Sequence, residues 1–227
     1  MWADADSVPD LARAGVGVVL IGEWGVRRGD QRRAADAVLA AWRESSPPPG
    51  LLAYHCLLGE DAATVLHYQQ WTDPDAPRRF VGGERQRWLR AVRARLTGIE
   101  HRRVTAYRRY RSTGRAPAAP PTGCLVTVTV EFDGTDPQRP RTWVDGVFAA
   151  AGTEAAAPAA GLTAAHFHLG LNGTRAVNLA EWTTAAAHRA ATRTPAPRLR
   201  AAAGGSPGVA GIAVTRFAPY RGIAVAS

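Results

Sequence analysis

The chain has 227 residues, a formal net charge of +9 and 46% hydrophobic residues. That length admits one or two domains, since a half of about 110 residues can bury a core of its own. No run of about 18 uncharged apolar residues occurs, so a membrane-spanning helix is not expected.

The N-terminal MWADADSVPDLARAG is acidic and lacks the basic-then-apolar order of a secretion signal. The two cysteines, Cys56 and Cys124, fall in different halves and form neither a disulfide framework nor a zinc site. A cytoplasmic protein is the expectation, with no membrane partner and no bound metal. Every basic residue is arginine, and Arg102, Arg103, Arg108, Arg109, Arg111 and Arg115 form a local run. With no nucleic-acid motif beside it, the run reads as a solvated face, and no nucleic-acid partner is expected. An anionic or phenolate ligand would gain from the same field. The glycine-rich phosphate loops and H-E-x-x-H are missing, so nicotinamide, nucleotide-hydrolysis and zinc-protease readings lose their usual support.

In chain order, a β-branched run at Gly17-Val18-Val19-Leu20-Ile21 predicts a strand. Gln31–Arg43 predicts an amphipathic helix, with Val38, Leu39 and Trp42 at helical spacing. A hairpin follows, turning at Asp61-Ala62, then a helix over about 74–97 and a closing strand. The same order returns in the second half. Leu125–Val130 predicts a strand, Pro140–Ala151 a helix, Asn172-Gly173 the turn of a hairpin, about 183–202 a second helix, and 214–221 a final strand.

Internal self-similarity supports this parsing. PGLLAYHCLLGEDAATVLHYQQWT, ending at Thr72, aligns with AAGLTAAHFHLGLNGTRAVNLAEWT, ending at Thr183, without a gap from Gly-Leu to Trp-Thr. VTAYRRYR at 104–111 matches VTRFAPYR at 214–221. The Pro- and Ala-rich segment between the copies reads as a linker. The expected organisation is an N-terminal extension (1–14), a first domain (15–111), a linker (112–123) and a second domain (124–222). Each copy has the order β-α-β-β-α-β, the ferredoxin-like split motif. The fold class expected is α+β, two ferredoxin-like domains facing each other through their sheets within one chain.

The hairpin register assigns faces. A two-residue turn at Asn172-Gly173 sets Phe167 opposite Asn178 and Thr163 opposite Trp182, so these share a face with Ala165 and Ala180. By the equivalent register Tyr54, Cys56, His67, Gln69 and Trp71 share that face in the first copy, while His55, Tyr68, His166, His168 and Leu179 point the other way. His166 and His168 share a strand face, but no third metal ligand accompanies them.

The strand, helix, Gly-Leu strand opening, hairpin and N-x-x-x-W-T entry to a helix resemble the antibiotic biosynthesis monooxygenase family, in two tandem copies. That resemblance implies an intramolecular pseudo-dimeric α/β barrel, a monomer or weak homo-oligomer. It also implies a monooxygenase that oxidises a polycyclic aromatic polyketide with molecular oxygen and no cofactor. The family's pocket Asn and Trp fall on Asn178 and Trp182, and His188 stands where the family has Tyr. In the first copy His67 and Trp71 take the Asn and Trp positions, and Pro77 the Tyr position. Arg87, Arg90 and Arg93 surround the family's helix arginine without a certain match. Asn178, Trp182, His188 and His67 are the expected catalytic residues, with the second half carrying the main activity. Trp71, Tyr54, Phe167 and Gln69 are the expected substrate-binding residues. Histidine suits deprotonation of a phenol or anthrone, and amide and indole N–H groups suit a developing oxyanion. Alternatives are a polyketide cyclase or rearrangement catalyst that uses no oxygen, and a non-catalytic protein that shields a reactive intermediate.

Overall fold

The computed structural model describes residues 1–116, 118–153, 159–193, 202 and 204–226. Its elements are β1 (Trp2–Ala5), β2 (Val18–Gly25), α1 (Gln31–Arg43), β3 (Leu51–Gly59), β4 (Thr64–Trp71), α2 (Asp75–Gly82) and α3 (Arg85–Arg93). They continue with β5 (Glu100–Ser112), β6 (Cys124–Phe132), α4 (Gln138–Thr153), β7 (Leu162–Gly170), β8 (Arg175–Trp182), α5 (Ala185–Arg193) and β9 (Val209–Val225). The chain divides into two compact units, Met1–Tyr107 with Phe217–Ser227, and Arg108–Arg216.

In the first unit β2 lies between β4 and β5, and β3 lies between β4 and the Phe217–Ala224 portion of β9. The short β1 pairs the end of β9, Trp2 opposite Val225. The apolar stripe of α1 (Ala34, Ala35, Val38, Leu39, Ala41, Trp42) packs into one core with Val18, Leu51, Tyr54, Cys56 and Trp71 of the sheet and Trp88, Leu89 and Val92 of α3. Full burial of each large apolar side chain contributes about 1.5–3 kcal/mol, and this is what holds α1 and α3 to the sheet. The single helix expected over 74–97 is two helices, because Gly82-Gly83 interrupts it where backbone freedom disfavours a helix.

In the second unit β8 lies between β6 and β7, with Asn178 opposite both Val128 and Phe167. Trp143 and Val144 of α4 pack on Val130, Phe132, Ala165 and Phe167. Residues 194–201 of the expected second helix lie outside the described residues.

Both hairpins take the register that their turns predict, Leu58 opposite Val65 and Leu169 opposite Ala176. Both registers then slip at a bulge, between Leu51 and Ala53 and between Leu162 and Ala164. Trp182 therefore faces Leu162, not Thr163. A bulge inserts one unpaired residue, which turn chemistry at the far end of a hairpin does not specify.

The expectation of two ferredoxin-like domains packed as an intramolecular pseudo-dimeric α/β barrel is corrected by the strand pairing. The hydrogen-bonded order is β1-β9-β3-β4-β2-β5-β7-β8-β6, and β9 pairs β6 as well. Strands β2 to β9 thus form one closed eight-stranded antiparallel ladder carrying a few helices. The reason lies in strand length. β5 has 13 residues and β9 has 17, so each pairs one set of neighbours along its first part and another along its second.

Candidate functional site

The functional geometry is clearest in the first unit, where a cavity of about 330 Å³ opens between the sheet and α2–α3. Small-molecule sites typically measure about 300–1,000 Å³. Its floor is the sheet face carrying Leu20, Gly22 and Trp24 of β2, Tyr54 of β3, and His67 and Gln69 of β4. Its roof is Phe80, Trp88 and Leu89 with Pro77, and Trp42 of α1 closes one side. Gly22 pairs directly with His67 and puts no side chain into the space. A Cβ there would lie 2.8 Å from Val104 Cγ2.

His67 sits at the centre of an aromatic enclosure. The Trp24 ring lies 4.4 Å from the His67 ring, and Trp42 and Trp88 are 4.8 Å apart, centroid to centroid. Trp42 also meets Tyr54 at 5.4 Å and Phe80 at 5.2 Å. Tyr54 Oη is 2.9 Å from His67 Nδ1. Burial, then the neighbouring Cys56 sulfur, holds the Tyr54 phenol well above its ordinary pKa, so it stays a neutral O–H group. The Cys56 thiol, 3.8 Å from the same nitrogen, is pushed up by its own burial and, less, by Asp36. Neither neighbour places a negative charge beside the imidazole. Tyr54 Oη and His67 Nδ1 share one hydrogen bond, and in the tautomer whose Nδ1 carries the proton, Nε2 is the accepting nitrogen that a general base needs.

Among the described residues lining the cavity, the charged ones are Arg85 and Arg102. Arg102 approaches Thr64 Oγ1 at 3.4 Å and Glu100 at 3.7 Å.

Of the expected residues, Tyr54, His67 and Gln69 line the cavity. Trp71 is fully buried behind them and donates Nε1–H to Gln69 Oε1 at 3.2 Å, which fixes the Gln69 amide. In the second unit Asn178 is half-buried, and its Oδ1 is buried without a hydrogen-bond partner. Trp182 and His188 meet edge to face at 4.9 Å. His188 Nδ1 accepts from Arg216 Nε at 2.8 Å. Phe167 is a core residue, 5.1 Å from Phe148 and 6.1 Å from Trp143. Trp24, Trp42, Phe80, Trp88, Arg85 and Arg102 were not expected at a site. Trp24 carries a legible signal, since it alternates with Leu20 and Gly22 on β2. Trp42 and Trp88 read from sequence only as helix core.

The fold is similar to that of several solved structures. Among them are an anthrone oxidase-like protein, 16% identical, with a TM-score of 0.65 over 97% of this chain and 95% of that one. A candidate monooxygenase from Fusobacterium nucleatum is 9% identical, with a TM-score of 0.60 over 92% and 95%. Another from Lactobacillus acidophilus is 12% identical, with a TM-score of 0.55 over 91% and 94%. At such identities the likeness establishes the fold. No protein-family model matches the chain, and no curated protein matches its sequence. Among the described residues, no helix is long and apolar enough to cross a membrane.

Proposed function

We propose that the protein is an oxygenase that oxidises a flat aromatic substrate, a phenol or anthrone of polyketide type, in the first-unit cavity. Molecular oxygen is the co-substrate and no cofactor takes part. The observation that carries this reading is His67, set in an aromatic-walled cavity with its Nδ1 fixed by Tyr54. Fold likeness to an anthrone oxidase-like protein supports it.

In this reading His67 Nε2 removes a proton from the activated carbon or phenol of the substrate. The resulting anion gives one electron to oxygen, the radical pair combines to a hydroperoxide, and loss of water leaves a carbonyl. A CH₂ group plus O₂ becomes C=O plus H₂O, so the reaction balances without an external reductant. Trp24, Trp42 and Trp88 hold the rings flat by stacking, and the Arg85 and Arg102 guanidinium groups favour the anion.

His67, not His188, is the base here, because the His188 Nδ1 acceptor already holds an arginine N–H. Asn178, Trp182 and His188 form a secondary candidate binding face. We further propose that the halves arose as tandem copies in one monomeric chain. Supporting this, Gly50 and Gly161 both adopt positive φ (88° and 90°), and a Cβ on either would meet the equivalent alanine at 2.6 Å.

The test is oxygen uptake with a dihydroxyanthrone by colourless purified protein. His67→Ala is expected to lower the rate about 10²-fold or more, the usual share of a general base, and Tyr54→Phe to lower it less. Substrate turnover without oxygen consumption would replace this reading with a cyclase, and binding without turnover with a shielding protein.

A further inference from the structure

A second polar constellation lies in the second unit and takes no part in the proposed oxidation. Ser112, the exposed last residue of β5, has its Oγ 3.0 Å from His166 Nδ1. The other imidazole nitrogen, Nε2, lies 3.1 Å from Glu181 Oε1. His166 and Glu181 are only 4% and 7% exposed. The second carboxylate oxygen of Glu181 accepts from Thr122 Oγ1 at 2.6 Å and from Arg115 Nη1 at 2.5 Å.

The backbone fixes this order. Thr113 N–H donates to Ala165 O at 2.9 Å, and Ala165 N–H donates to Thr113 Oγ1 at 2.8 Å, which seats Ser112 beside His166. The hairpin register that runs unbroken from the Asn172-Gly173 turn sets Glu181 opposite Ala164, just before the bulge at Leu162. Hydroxyl, imidazole and carboxylate in sequence are the arrangement that activates a serine, recognised by geometry and role and not by chain order.

We propose that Ser112 is a nucleophile activated by His166, with Glu181 as the orienting carboxylate, and that it accepts acyl groups from small aryl esters. Glu181 is anchored by Thr122 and Arg115 whether or not His166 is present, so the imidazole is not needed to hold the carboxylate. Its burial opposes ionisation, but the hydrogen bonds from His166 and Thr122 outweigh that and hold Glu181 below the usual carboxylate pKa. An ionised partner is what stabilises the imidazolium formed during attack.

In the first step Ser112 Oγ bonds to the acyl carbon and its proton passes to His166 Nδ1. The carbon–oxygen bond to the phenolate breaks, and the phenolate takes that proton. Water then attacks the acyl-serine, giving its proton to His166. The Oγ–carbon bond breaks, the proton returns to Ser112, and a carboxylic acid leaves. No redox partner is required.

The test uses the full chain with a fluorophosphonate probe, the site of the adduct being read by mass spectrometry, and with p-nitrophenyl acetate. The expected result is a single adduct on Ser112, absent in Ser112→Ala, with release of p-nitrophenol by the wild type alone. His166→Gln should slow labelling about 10²-fold, the lower end of general-base contributions. Ser112 is exposed, so Ser112→Ala should keep the wild-type melting temperature and serves as the decisive arm even where His166→Gln fails to fold. No adduct, an adduct elsewhere, or wild-type labelling in folded His166→Gln overturns the proposal.

Discussion

Tyr220 Oη lies 3.1 Å from both carboxylate oxygens of Asp36, across 184 residues of sequence. Arg221 Nη1 joins the same carboxylate at 2.8 Å. The second unit repeats the arrangement, with Tyr110 Oη 3.0 Å and Arg111 Nη1 2.8 Å from Asp145. In each unit a Tyr-Arg pair near a strand end thus clamps the helix that covers the sheet. Asp36→Ala should cost about 1 kcal/mol, the scale of a net hydrogen bond, because the ion pair itself is half-exposed and screened. The expected drop in melting temperature is about 2–4 °C. A double-mutant cycle with Tyr220→Phe should show coupling, since the two residues share one contact. Strict additivity would deny the clamp.

The arginines of the cavity make the substrate's charge testable. Arg85→Ala and Arg102→Ala should each raise KM for an anionic aromatic substrate several-fold, while KM for a neutral analogue stays unchanged. Added salt should shrink the difference, because Arg102 is exposed and its field is screened over about 8–10 Å. Equal effects on neutral and anionic ligands would mean that the arginines act by packing alone.

Two buried histidines set the acid limit of stability. Burial, then Arg13, brings the His55 pKa down to about 4. Burial, with smaller repulsion from His166 and Arg109, brings His168 down to about 3. An unfolded histidine titrates near 6.5, so between that value and the folded one the unfolded state binds more protons. The stabilisation is complete above about pH 6.5 and is lost as pH falls toward 4 and 3. Each histidine adds a slope of up to about 1.4 kcal/mol per pH unit in that window. Chemical denaturation from pH 7 to 4 should show this fall, and His168→Gln should flatten it. An unchanged slope would mean that His168 is not buried in its neutral form.

Gly50 and Gly161 have φ of 88° and 90°, and each would drive a Cβ against Ala76 or Ala187 at 2.6 Å. Gly50→Ala and Gly161→Ala should each destabilise by at least about 1–3 kcal/mol, the cost of a strained backbone conformation. Because Thr72 N–H donates to Gly50 O at 2.9 Å, Gly50→Ala should also disturb the entry to α2, which helps to roof the cavity. Urea midpoints would measure the loss, and a change below about 0.5 kcal/mol would contradict the close approach.

The local elements of this protein are written in its sequence. Alternating residues place Tyr54, His67 and Gln69 on one sheet face, and the Asn172-Gly173 turn sets Phe167 opposite Asn178, as the structure shows. The helical spacing of α1 gives its bounds. These features depend on neighbours a few residues apart, where side-chain period and turn chemistry act directly. Tertiary structure decided the rest. Only packing brings Trp42 of α1 and Trp88 of α3 around His67, because a tryptophan at helical spacing looks the same whether it fills a core or walls a cavity. Only the closing of the ladder tells that β5 and β9 change neighbours part-way, since pairing between strands so distant in sequence leaves no local trace in either strand. Glu181 opposite Ala164 follows from the local hairpin register, but only the pairing of β5 beside β7 brings Ser112 to His166, because those strands are distant in sequence.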